Sequence, residues 1–163
     1  MDGSTNAKPT NMMCCWLSHA SFAVEAETPQ AVNFNTIPHY WSCANSLNNE
    51  LISVSGSEIT VKKKGMYHIH YHPLFGSWAG SGTSYAYGSN IQINDDTKTV
   101  SQITTTDIYA SPVSDIDIGL NIGDKIKILV IAGAKITVFG WHTGETGMWW
   151  VPTGYLSITY LGA

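Results

Sequence analysis

Apolar and polar residues alternate with a period of two again and again along this chain, and no stretch sustains the helical period. That pattern leaves little room for anything but β-structure. The clearest case is SDIDIGLNI, where Ile116, Ile118, Leu120 and Ile122 share one face while Asp115, Asp117 and Asn121 take the other. Strands are predicted over residues 21–26, 31–34, 51–53, 58–61, 65–74, 85–94, 98–105, 113–122, 125–131, 135–141 and 154–161. Asn94-Asp95-Asp96-Thr97 reads as a hairpin turn, and Gly123-Asp124 breaks another pair of strands. Many short strands of this kind imply an all-β sandwich or barrel.

Two strands carry apolar groups on both faces. KIKILVI ends in Leu129, Val130 and Ile131, and in GYLSITYLG, Leu156, Ile158 and Tyr160 point one way while Tyr155 and Leu161 point the other. With 163 residues and 44% hydrophobic content, the chain is expected to build one domain around one core. The second apolar face is therefore expected to pack against neighbouring copies. Leu129, Ile131, Tyr155, Leu156, Ile158 and Tyr160 are the expected interface residues. Charged residues make up 12% of the chain, roughly half of the usual ~25%, which suits a surface buried in an oligomer.

Charge also excludes partners. The net charge is −4 and all 8 basic residues are lysines, so nucleic acid is not an expected ligand. No stretch approaches the roughly 18 uninterrupted apolar residues of a membrane span, so no membrane insertion is expected. The start of the sequence has an acidic second residue and no long apolar segment, which predicts a product made in the cytoplasm without a secretory signal. Cys14 and Cys15 are adjacent and Cys43 stands apart, a spacing that fits neither a zinc site nor a disulfide framework. All three are expected to be small buried hydrophobes. There is no Asn-x-Ser/Thr sequon.

GMYHIHYHP is the most distinctive run. In a strand, His68, His70 and His72 project to one face, and Tyr67, Ile69 and Tyr71 to the core. Residues two apart lie about 6.8 Å apart along the strand, so a His-x-His pair can chelate one ion, whereas residues four apart cannot. A third ligand must come from His142 or from an acidic side chain. A His-x-His pair resembles the metal motif of the cupin enzymes. That motif continues with a glutamate, and Pro73, Leu74, Phe75, Gly76 and Ser77 supply none. The expectation is therefore outward-facing or interface histidines and no metal, with His68, His70 and His142 as the residues that would hold one.

Neither a Gly-x-Ser-x-Gly elbow nor a phosphate-cradling Gly-x-x-x-x-Gly-Lys occurs, and Asp115 and Asp117 read as a solvated strand face rather than paired acids. No catalytic residue and no cofactor are expected. The aromatic stretches GSWAGSGTSYAYGS and GWHTGETGMWWVPTG place Trp78, Tyr85, Tyr87, Trp141, Trp149 and Trp150 among small polar residues. Such rings suit stacking on a sugar or anchoring a protein partner, and equally suit closing the barrel ends.

Four blocks carry a family resemblance. ASFAVEA followed by AVNFNTI, then SGSEITVKKKGMYHIHYHPL, IDIGLNIGDKIKI and TGYLSITYL resemble successive strands of one jelly-roll family. It is the family of the globular head of the first complement component (subcomponent q) and of tumour necrosis factor. In the second block Lys64 and Met66 replace that family's proline and leucine. The resemblance covers roughly residues 20–161 and implies an antiparallel jelly-roll sandwich that assembles as a homotrimer. No collagen-like stalk precedes it, which speaks against a complement-like role.

Residues 1–18 are polar at their start and are expected to form an attachment arm, with the jelly roll over 19–163. The combined expectation is a non-enzymatic bacteriophage virion protein, either a capsid decoration or a head or tail fibre knob. Its partners would be itself, other virion proteins through the arm, and a host-surface glycan or protein. A bacterial surface or spore-coat head and a secreted signalling ligand share the fold, and a metal-dependent jelly-roll enzyme ranks third.

Overall fold

The computed structural model describes residues 13–17, 19, 21–34, 50–77, 84–107, 109–138 and 154–163. In chain order the strands are β1 (Met13–Leu17), β2 (Phe22–Val24), β3 (Gln30–Ala31), β4 (Ile52–Ser55), β5 (Glu58–Val61), β6 (Gly65–His72) and β7 (Phe75–Ser77). They continue with β8 (Tyr85–Ile93), β9 (Asp96–Thr105), β10 (Tyr109–Ala110), β11 (Ser114–Leu120), β12 (Lys125–Ala132), β13 (Ile136–Val138) and β14 (Tyr155–Gly162). No helix occurs among the described residues.

A four-stranded sheet runs β1-β14-β6-β11, and a six-stranded sheet runs β4-β5-β12-β8-β9 with β3 also on β12. A short sheet, β10-β7-β13-β2, carries the strands onward beyond β6 and β12. Every pairing is antiparallel, and the non-consecutive neighbours mark crossovers between sheets. This is a jelly roll.

Alternation builds its core. Tyr67, Ile69 and Tyr71 of β6 and Leu156, Ile158 and Tyr160 of β14 face inward, toward a layer that includes Ile126, Ile128 and Val130 of β12 and Tyr87 and Ile91 of β8. One polar tie crosses between the sheets. Ser89 of β8 donates to the Pro112 carbonyl at 2.5 Å, and the Ser114 hydroxyl of β11 donates to the Ser89 carbonyl at 2.8 Å. Both serines are fully buried, so the paired hydroxyls avoid the penalty of unsatisfied polar groups. Burial pushes the Tyr67 hydroxyl up to about 12, and it donates to the Lys63 carbonyl at 2.5 Å. Gly65 leaves no room for a side chain, because a Cβ there would meet the Gly162 carbonyl at 2.5 Å and the Tyr160 ring.

The two expected turns clamp each other. Asn94 and Asp95 have φ of 52° and 64°, the primed two-residue turn that matches strand twist. The Lys125 amide donates to Asn94 Oδ1 at 3.0 Å, the Asn94 side-chain amide donates to Asp124 Oδ1 at 3.0 Å, and the Asn121 amide donates to Asp124 Oδ2 at 2.8 Å. The Asn121 amide and then the Asn94 amide hold the Asp124 carboxyl below its usual range. Asp124→Ala is expected to lower stability by roughly 1 kcal/mol at neutral pH. A depressed carboxyl contributes above its ordinary pKa and loses that contribution as pH falls through the lowered value. Urea melts at neutral pH and at about pH 3 should therefore show the two proteins converging in acid.

Several expectations need correction. Residues 13–17, expected in the arm, form β1 and pair in register with β14, from Met13 opposite Tyr160 to Leu17 opposite Leu156. The sheet edge takes them because Cys15 and Leu17 complete the core. Residues 1–12 lie outside the described residues, as do Cys43 and the end of the strand expected over 135–141. Cys14 is disulfide-bonded rather than a buried hydrophobe, since the alternation of β1 turns it outward while Cys15 keeps its thiol inside. Ile122 is not core: β11 stops at Leu120, and Ile122 stands in the turn, 72% exposed.

Candidate functional site

The outer face of the β1-β14-β6-β11 sheet gathers the side chains with the most distinctive chemistry. Register places Asp117, His68, Thr159 and Cys14 in one row, and Asp115, His70, Ser157 and Trp16 in the next. His72 opposite Tyr155 begins a third. Period-two geometry puts these side chains outward because their neighbours Tyr67, Ile69, Tyr71, Leu156 and Ile158 are committed to the core.

The rings form a ladder. Trp16 stacks on Tyr155 with centroids 4.6 Å apart and planes 2° from parallel, and Tyr155 stacks on His72 at 5.4 Å and 7°. His72, His70 and His68 follow at 6.4 Å and 6.2 Å. Burial lowers the His72 pKa, and among the described residues its Nδ1 has no hydrogen-bond partner. This face is half-buried within a single chain.

Acids line its β11 edge. Asp117 Oδ1 lies 2.6 Å from His68 Nδ1, and Asp115 Oδ1 lies 2.9 Å from His68 Nε2 and 3.5 Å from His70 Nδ1. His68, His70 and Asp115 each bring one ligating atom within 4.8 Å of the others. The acidic third partner considered from sequence is thus Asp115, which had been read as solvated. His142 lies outside the described residues.

The expected interface residues separate into three groups. Leu156, Ile158 and Tyr160 are 0%, 0% and 3% exposed and belong to the subunit's own core, so they are unavailable to a partner. Leu129 and Ile131 lie on the outer face of the six-stranded sheet, on the far side of the sandwich from Tyr155. Ile131 there lines a groove of about 260 Å³ with Glu27, Gly88, Val100 and Gln102. Only Tyr155 of the six stands on the aromatic face. Among the expected ligand-binding residues, Tyr87 is 1% exposed and packs on Phe75, so it is core, whereas Tyr85 is half-buried beside it. Trp78, Trp141, Trp149 and Trp150 lie outside the described residues. Trp16 was missed by the sequence reading, because its strand shows no alternation long enough to register.

Lysine–carboxylate pairs avoid this face. Among the described residues, Lys125 with Glu58, Lys127 with Asp95 and Lys98 with Asp96 belong to the six-stranded sheet and its turns, and Lys135 with Glu25 joins the ends of β13 and β2 in the short sheet. The sandwich therefore has one side of mixed charge and one of rings, imidazoles and acids.

No family model and no curated protein matches the chain. Solved structures do share its fold. Eiger TNF from S. frugiperda aligns at a TM-score of 0.56 with 13% identity, over 94% of this chain and 95% of that one. Murine APRIL at pH 8.0 aligns at 0.52 with 12% identity, over 91% of this chain and 100% of that one. Murine APRIL at pH 5.0 aligns at 0.50 with 14% identity, over 88% and 99%. The fold is a tumour necrosis factor-like jelly roll, as the sequence resemblance implied.

Proposed function

We propose that this chain is a non-enzymatic, homotrimeric head domain that recognises a partner from the surface of a bacteriophage virion, as capsid decoration or fibre knob. The observation that carries the reading is the asymmetry of the sandwich. Interfaces are enriched in aromatic rings and depleted in charge. The β1-β14-β6-β11 face carries the ring ladder with its aspartates confined to the β11 edge, while the six-stranded sheet carries lysine–carboxylate pairs. Three copies packing through Trp16, Tyr155 and the histidine row would cover the half-buried ladder.

The Cys14 disulfide supports a working location outside a reducing cytoplasm, since such bonds persist in oxidising surroundings, virion surfaces included. Aromatic residues among small polar ones at Trp78, Trp141, Trp149 and Trp150 supply the rings for a host glycan or protein. Sedimentation equilibrium at micromolar concentration is expected to give three times the 17.7 kDa subunit mass, and a folded single subunit would refute the assembly. Mass spectrometry of purified phage particles is expected to find the chain. Recovery from bacterial spores or in culture medium would instead favour the spore-coat or secreted-ligand roles of the same fold.

A further inference from the structure

His68 is held between two carboxylates of the neighbouring strand. Its Nδ1 lies 2.6 Å from Asp117 Oδ1 and its Nε2 lies 2.9 Å from Asp115 Oδ1. Asp115 thus faces a ring nitrogen that ligates a metal ion whenever it carries no proton. His70 Nδ1 lies 3.5 Å from the same Asp115 oxygen, so three potential ligand atoms converge on one point.

We propose that His68, His70 and Asp115 form a binding site for a divalent transition-metal ion of the zinc class, with Asp117 fixing His68 in the ligating tautomer. Zinc–nitrogen and zinc–oxygen bonds run about 2.0–2.2 Å, so adjacent ligand atoms around one ion stand roughly 3–3.5 Å apart. Two of the three edges, 2.9 Å and 3.5 Å, match, and all three ligand atoms lie within 4.8 Å of one another. Two imidazoles and one carboxylate suit zinc and its neighbours rather than calcium or magnesium, which prefer oxygen. A carboxylate on the far ring nitrogen of a ligating histidine orients it and raises its basicity, which is the place Asp117 occupies. Cross-strand register supplies the convergence, with Asp115 opposite His70 and Asp117 opposite His68. His72 is excluded, because it stands four residues from His68 and stacks on Tyr155 instead. All three ligands come from one chain, on the face through which the copies are proposed to pack.

The full chain, made without a polyhistidine tag and stripped with chelator, should be titrated with zinc by calorimetry and with cobalt by visible absorption. One ion per chain, saturating at micromolar concentration or below, is expected. His70→Gln and Asp115→Asn should abolish saturable binding, Asp117→Asn should weaken it by about 10–100-fold, and His72→Gln should leave it unchanged. Far-UV circular dichroism of each variant separates lost ligands from lost fold, and zinc should raise the melting temperature of the wild type but not of folded Asp115→Asn. Absence of a stoichiometric ion in the wild type overturns the site. So does binding that survives Asp115→Asn, or that His72→Gln destroys as completely as His70→Gln does.

Discussion

Tyr155→Glu is expected to leave the subunit folded and to release it from the proposed trimer as a single chain of 17.7 kDa. The residue lies at the start of β14, its ring sandwiched between Trp16 and His72 on the outer face, while the inward neighbour Leu156 is untouched. A glutamate there keeps the strand and its register. In the proposed assembly it places a carboxylate between the Trp16 and His72 rings, and a desolvated charge costs several kcal/mol. Symmetry repeats the insult three times, and every 1.4 kcal/mol is a factor of about ten in association. Ile131→Glu is the matched control, since it adds the same charge to the opposite sheet and should leave the trimer intact. Sedimentation equilibrium of both variants decides the matter: a trimeric Tyr155→Glu together with a monomeric Ile131→Glu would move the interface to the other side of the sandwich.

That contrast also shows where sequence reasoning reached and where it stopped. Local alternation gave β5 at its observed bounds and gave the two faces of β6, with Tyr67, Ile69 and Tyr71 in the core. The same parity also applied to Tyr87, which is in step with Ile91 and Ile93 and is core, although its glycine-rich surroundings suggested a loop. In β14 the outward positions between the ends are Ser157 and Thr159, so only the terminal residues made the strand look two-sided. Leu156, Ile158 and Tyr160 then needed no partner.

Pairing between distant segments was the illegible part. β1 exists because it docks on β14 at the other end of the chain, and the two- and three-residue strands β10 and β7 are defined by pairing with each other and, for β7, with the distant β13. No local pattern encodes such strands. The histidine–aspartate cluster has the same origin: HIH and DID each alternate visibly, yet their meeting depends on β6 and β11 pairing in one register across 49 residues. A one-residue slip would send the aspartates to the core face. Imidazoles on one strand and carboxylates on the other, able to hydrogen-bond or share a ligand, were the available signal.

Tyr71→Ala is expected to remove most of the stability of the domain, about 5 kcal/mol against a typical total of 5–15. Tyr71 is fully buried on β6, meets Phe34 edge to face at 6.3 Å, and hydrogen-bonds His19 Nε2 through its hydroxyl at 3.1 Å. His19 is itself fully buried between Phe22 and Phe34, so truncation both opens a cavity and strips a polar contact from a histidine without water. Tyr71→Phe keeps the ring and loses the hydroxyl alone, which should cost about 1–3 kcal/mol. Alkaline unfolding distinguishes the two contributions. Burial raises the Tyr71 pKa, so the folded state holds its proton after the unfolded chain has released it near pH ~10. The wild type should then lose about 1.4 kcal/mol per pH unit through this residue as pH climbs past that point, and Tyr71→Phe should lose correspondingly less. Equal alkaline slopes for wild type and Tyr71→Phe would mean that the hydroxyl ionises freely in the native protein, which the closed packing of Phe34, His19 and Tyr71 forbids.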